Sequence, residues 1–233
     1  MGKPKNGVPV IEPRGGGDLA ILDQLPVSQY SDDVFDKVAS GSGFLPRLML
    51  YGSNSNLVKE EKVQIGYSLV TGKDSYTYLG RECNILPLGW RPKAMEIGDS
   101  VITSHDISSI EFQRIKARAD NEKDSGCMYG PEYLVWIPDL KKFATFLMGS
   151  TTSRNESPKL KALLKDKKAA TLKTKLYSNK DYKWHGPEVI ACSTPFDLPV
   201  LEEILEVVNT FNNPKESDVE GVDPEQAGTA RDR

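Results

Sequence analysis

Near the middle of the chain two almost wholly apolar runs face each other across a short turn: Tyr133-Leu134-Val135-Trp136-Ile137, then Pro138-Asp139-Leu140-Lys141, then Phe143-Ala144-Thr145-Phe146-Leu147-Met148. Proline and aspartate favour a turn here, and the aromatic and β-branched residues on either side favour strands. Successive residues of a strand point to opposite faces, so a hairpin that is apolar at nearly every position needs cover on both sides. It belongs near the centre of a core.

The surrounding chain supplies further elements. Val63 to Val70 and Tyr76 to Leu88 read as a hairpin around Thr71-Gly72-Lys73-Asp74. Ser108 with Glu111 forms a capping-box pattern, and Ile110, Ile115 and Ala119 continue it as a short inserted helix to about Asn121. Ser157-Pro158 fits a helix start, with Leu160, Leu163 and Leu164 as the buried stripe to about Lys167. Thr171 to Tyr177 and Tyr182 to Cys192 form another hairpin. Asp197 is expected to cap a C-terminal helix with Pro199 in its first turn, ended by Asn212-Asn213-Pro214. Residues 1–43 read as an extended arm, 44–214 as the domain and 215–233 as an acidic disordered tail.

A chain of 233 residues suits one ordinary domain with attachments, or two small ones. No run reaches the roughly 18 apolar residues of a membrane span, and Met1-Gly2-Lys3-Pro4-Lys5 lacks the hydrophobic core of a signal peptide. The expectation is a soluble, cytoplasmic protein with no membrane partner. Cys83, Cys127 and Cys192 are odd in number and widely spaced, which points to buried free thiols.

The net charge of −3 conceals a strong polarity. From Lys141 to Lys183 there are 12 Lys and Arg against 3 Asp and Glu, whereas from Phe196 to Arg233 there are 3 against 10. In the basic part, a connection at 178–181 pairs Tyr177 with Tyr182 and Lys175 with Trp184. Alternation then places Lys173, Lys175, Tyr177, Tyr182 and Trp184 on one face, and Leu172, Thr174 and Leu176 on the core side. Lysines interleaved with large rings suit unpaired nucleic acid, with cations near phosphates and flat surfaces for bases. Two plainer readings stand beside it: lysines that protect sheet edges, or rings that belong to the core. Lys183 and the helical Lys161 and Lys165 would add phosphate contacts. Trp90-Arg91-Pro92-Lys93 is a second candidate, a ring and two cations on a segment stiffened by proline, with a buried strand-end tryptophan as the alternative.

Enzymatic readings find little support. There is no phosphate-binding GxxxxGK[ST] loop and no GxSxG serine, and His105 and His185 stand apart from one another and from any Cys at metal-ligand spacing. The expectation is a protein that is not an enzyme and needs no cofactor.

From about Cys83 the order is strand, inserted helix, strand, strand, helix, strand, strand. Apart from the insertion this is the order of an OB fold, a five-stranded Greek-key barrel, here within an α+β chain carrying an extra N-terminal hairpin and a C-terminal helix. Over residues 63–233 the element order and charge layout resemble the single-stranded DNA-binding proteins of bacteriophages. The resemblance implies sequence-independent binding of single-stranded DNA in replication or recombination, in the host cytoplasm. It also implies a tail that competes with DNA and recruits replication or recombination proteins. That family's tails usually end in an aromatic residue, whereas this chain ends Ala230-Arg231-Asp232-Arg233. The alternative is a non-enzymatic structural or protein-interaction module, such as a virion component.

Overall fold

The central hairpin forms as its pattern demands: β6 (Cys127–Ile137) turns through a 3-10 segment at Pro138–Leu140 into β7 (Lys142–Leu147). The computed structural model describes residues 45–72, 75–98, 101–122, 125–180 and 182–213. The expected arm and acidic tail, and the turn residues Lys73 and Asp74, lie outside them. The other strands are β1 (Arg47–Tyr51), β2 (Gly66–Gly72), β3 (Ser75–Gly80), β4 (Glu82–Ile97), β5 (Val101–Ser104), β8 (Ala170–Ser178) and β9 (Lys183–Ala191). The helices are α1 (Asn56–Lys59), α2 (Ile110–Asn121), α3 (Thr151–Lys165) and α4 (Leu201–Asn212).

These strands form one mixed sheet of order β3-β2-β1-β7-β6-β4-β8-β9, with β5 on the side of β4. The α+β class is as expected. The pairings among the described residues make an open sheet, not a closed five-stranded barrel: the edge of β7 away from β6 is taken by β1, in parallel.

Both faces of the hairpin are covered. Tyr133, Val135 and Ile137 pack with Leu160 of α3 and with Leu172 and Val189 of the β8–β9 pair. Leu134 and Trp136 pack on the other side with Leu86, Leu88 and the α4 residues Ile204 and Phe211. Each large apolar side chain so buried contributes about 1.5–3 kcal/mol. The inserted helix α2 lays Phe112, Ile115 and Ala119 on Ala94 and Cys127.

Several boundaries differ from the sequence pattern. Gly80, at φ +102°, breaks the expected 76–88 strand into β3 and β4. Ser109 rather than Ser108 caps α2, accepting from Phe112 N–H. The helix α3 starts six residues before Ser157, with Ser150 as its cap, so Pro158 lies inside it. Tertiary bonds hold this early turn. Arg154 donates to the carbonyls of Tyr129 and Gly149, Glu156 accepts from Val189 N–H, and Ser157 is buried against the Tyr133 hydroxyl at 2.7 Å. Asp197 caps nothing; α4 starts at Leu201 without a side-chain cap, and the Asp197 carbonyl instead accepts from the Trp136 indole. Cys83 and Cys127 are buried free thiols, whereas Cys192 is half-buried.

Candidate nucleic-acid interface

The β8–β9 hairpin forms with its register shifted by two residues from the expectation. Tyr177 pairs with Trp184 and Lys175 with Gly186. The turn is closed by Asn179, whose N–H donates to the Tyr182 carbonyl at 3.0 Å and whose side chain accepts from Tyr182 N–H at 2.8 Å. A shift of two keeps every side chain on its face. Lys173, Lys175, Tyr177 and Trp184 therefore share one side of the hairpin.

The rings meet there. Tyr177 and Trp184 stack with centroids 6.0 Å apart, and Tyr182 tilts against Trp184 at 5.5 Å. The Tyr177 hydroxyl donates to the Pro187 carbonyl, and the Trp184 indole donates to Thr152 Oγ1 at the start of α3. Tyr177 and Trp184 are thus half-buried and fixed, while Tyr182 is 41% exposed. Of the three residues expected on the opposite side, only Leu172 is buried in the core. Leu176, expected there, is 53% exposed, because the hairpin tip extends past the core.

The cations are distributed less favourably than the sequence implied. Lys173 pairs with Glu82 at 2.8 Å and Lys175 with Glu188 at 2.6 Å. Lys183 pairs across with Ser178, on the face opposite Trp184. Lys161, Lys165 and Lys183 make no ion pair among the described residues.

Trp90 lies within β4, opposite Tyr133, and is 43% exposed rather than buried at a strand end. Lys161 of α3 sits 3.5 Å above its ring centroid, a close cation–π contact. Thr152 and Lys161 are nine residues apart, about 14 Å along the helix axis and half a turn around it. The two ring sites thus occupy opposite flanks of α3 and do not merge into one patch.

Arg91 and Lys93 point to the other side of β4. Both bind Glu132, at 2.7 and 2.6 Å, and Arg91 also stacks on Phe211 and donates to its carbonyl. Burial alone would push the Glu132 carboxyl up, but Lys93 and Arg91 outweigh it and hold it at about 2. The expected solvent-facing contacts Arg91 and Lys93 are therefore turned inward, onto one buried carboxylate that they share. The sequence held a signal for this: Glu132 interrupts an apolar strand, and Arg91 and Lys93 recur two residues apart on one strand face.

Two further residues escaped sequence reading. Thr152 anchors Trp184, and Gly186 makes room for the rings: a Cβ there would lie 2.7 Å from the Thr152 methyl and 3.0 Å from Tyr177 Cε2. Among the described residues no group of His, Cys, Asp and Glu is arranged to hold a metal ion, and no helix is long and apolar enough to cross a membrane. No family model matches the chain, and neither a curated protein nor a solved structure matches it.

Proposed function

We propose that the protein is a non-enzymatic binder of single-stranded DNA that acts without sequence preference. The observation that carries this reading is the cluster of Tyr177, Trp184 and Tyr182, two rings fixed by neighbours and the third presented to solvent. Ordering such rings on binding costs little, because their partners already hold them, and each stacked base is worth about 1–3 kcal/mol. Lys180 and Lys183 flank Tyr182 near the hairpin tip, and Trp90 with Lys161 offers a second platform on the far flank of α3. The element order β4, β6, β7, α3, β8, β9, joined by the β4–β6, β6–β7, β4–β8 and β8–β9 pairings, supports an OB-like arrangement in which β1 occupies the edge of β7. The acidic residues of 215–233 are proposed to compete with DNA for these cations and to recruit replication or recombination proteins.

The test is fluorescence anisotropy of labelled oligonucleotides, single- and double-stranded, at two salt concentrations. Single strands should bind more tightly than duplex, with affinity falling as salt rises. Tyr182→Ala should weaken binding by about tenfold with an unchanged melting temperature, and deletion of 215–233 should tighten it. Absence of binding at low salt, or equal preference for duplex, would overturn the proposal. A second reading, a protein-interaction module, is favoured by one observation: Lys173 and Lys175 are already neutralised by Glu82 and Glu188. It predicts partner binding with no oligonucleotide affinity.

A further inference from the structure

β1 and β7 run parallel but pair only at Arg47 and Thr145, and then part. Just after β7 the chain passes close against Gly130 of β6, where a Cβ would collide with the Met148 carbonyl. The split opens a cleft with about 90 Å³ of water-accessible space, room for several water molecules and so for a small planar group. Met49, Met95 and Met128, three of the chain's five methionines, are among the residues that line it. Thioethers are polarisable, adapt their shape and make favourable contacts with aromatic rings.

The polar side of the cleft carries positive charge. Lys93 lines it, and Lys93 and Arg91 together share the single carboxylate of Glu132, which leaves one positive charge in excess. Ser150 and Ser153, at the positive end of the fifteen-residue α3, line it as well. One lining residue also neighbours the ring cluster. Gly186 forms part of its wall and abuts Tyr177 and Thr152, the residue that holds Trp184.

A cleft lined by polarisable thioethers and by an excess of positive charge suits one chemical class: a planar base carrying a phosphate. We propose that the cleft receives a single unstacked nucleotide of the bound strand, its base against Met49, Met95 and Met128 and its phosphate toward Lys93 and the start of α3. This rests on the single-strand-binding reading above and adds to it a place where the strand leaves the surface. It assigns Met49, Met95, Met128 and Lys93 a binding role that the outer ring cluster does not require.

The experiment uses the full chain labelled with ¹³C at the methionine methyls and titrated with a short oligothymidylate, with anisotropy run in parallel. Insertion of a base should move the Met49, Met95 and Met128 methyl signals upfield through the ring current, each assigned by a Met→Leu variant. Ser153→Phe, which fills the cleft, should abolish those shifts and weaken binding by about tenfold. Binding by anisotropy with stationary methionine signals, or undiminished affinity in Ser153→Phe, would overturn the cleft and leave the proposed function standing. No binding at all would overturn both.

Discussion

Glu132 is the residue whose removal the structure predicts most sharply. Its side chain is 2% exposed and bound on two sides by Arg91 and Lys93. A carboxyl held at about 2 instead of its ordinary 4.5 contributes about 3 kcal/mol to folding at neutral pH. The cost of breaking a buried ion pair by removing one partner, about 3–5 kcal/mol, is of the same size. Glu132→Gln keeps the shape and removes the charge, so it should destabilise the protein by about 3 kcal/mol at neutral pH. The pH dependence gives an independent check. A carboxyl whose folded pKa is depressed contributes stability that is fully present above 4.5 and is lost as pH falls toward about 2. Urea titrations followed by tryptophan fluorescence, from neutrality down to about pH 2, should show the parent losing about 3 kcal/mol more than the variant over that interval. Parallel losses in the two proteins, or a variant as stable as the parent at neutral pH, would refute the assignment of Arg91 and Lys93 to this carboxylate.

Two other substitutions or modifications follow from single contacts. Gly186→Ala should cost about 1–3 kcal/mol in a thermal melt, because the new methyl meets Thr152 and Tyr177, both held by hydrogen bonds; an unchanged melting temperature would show that these neighbours yield freely. Burial pushes the Cys83 thiol up to about 12, so in the native state it should resist alkylation near neutral pH and react only on unfolding, as read by mass spectrometry. Rapid modification of Cys83 under native conditions would show that strand β4 opens readily near its pairing with β8.

Much of the fold was legible because β-structure is encoded with a period of two residues. The β6–β7 hairpin, apolar on both faces, lies at the centre of the sheet with cover on each side. In the β8–β9 hairpin the register was misplaced by two, yet the ring face survived, since an even shift preserves parity. Helix starts were less legible. Ser157-Pro158 has the local chemistry of a helix start, but Ser157 pairs with Tyr133, and Arg154 and Glu156 bind distant backbone atoms that extend α3 toward Ser150. A local pattern lost to tertiary hydrogen bonds.

The sequence by itself determined which residues form hairpins and which side chains share a face, because alternation depends only on neighbours along the chain. Tertiary structure decided which of those side chains are available. Lys173 meets Glu82 from 91 positions away, and Arg91 meets Glu132 from 41 positions away, because strand pairing brings them opposite one another. Charge neutralisation falls off with distance in space rather than along the chain, so a basic stretch read from composition is only an upper bound on the charge a partner meets. The same holds for the cleft: Met49, Met95 and Met128 belong to β1, β4 and β6, and only the packing of those strands brings them around one cleft.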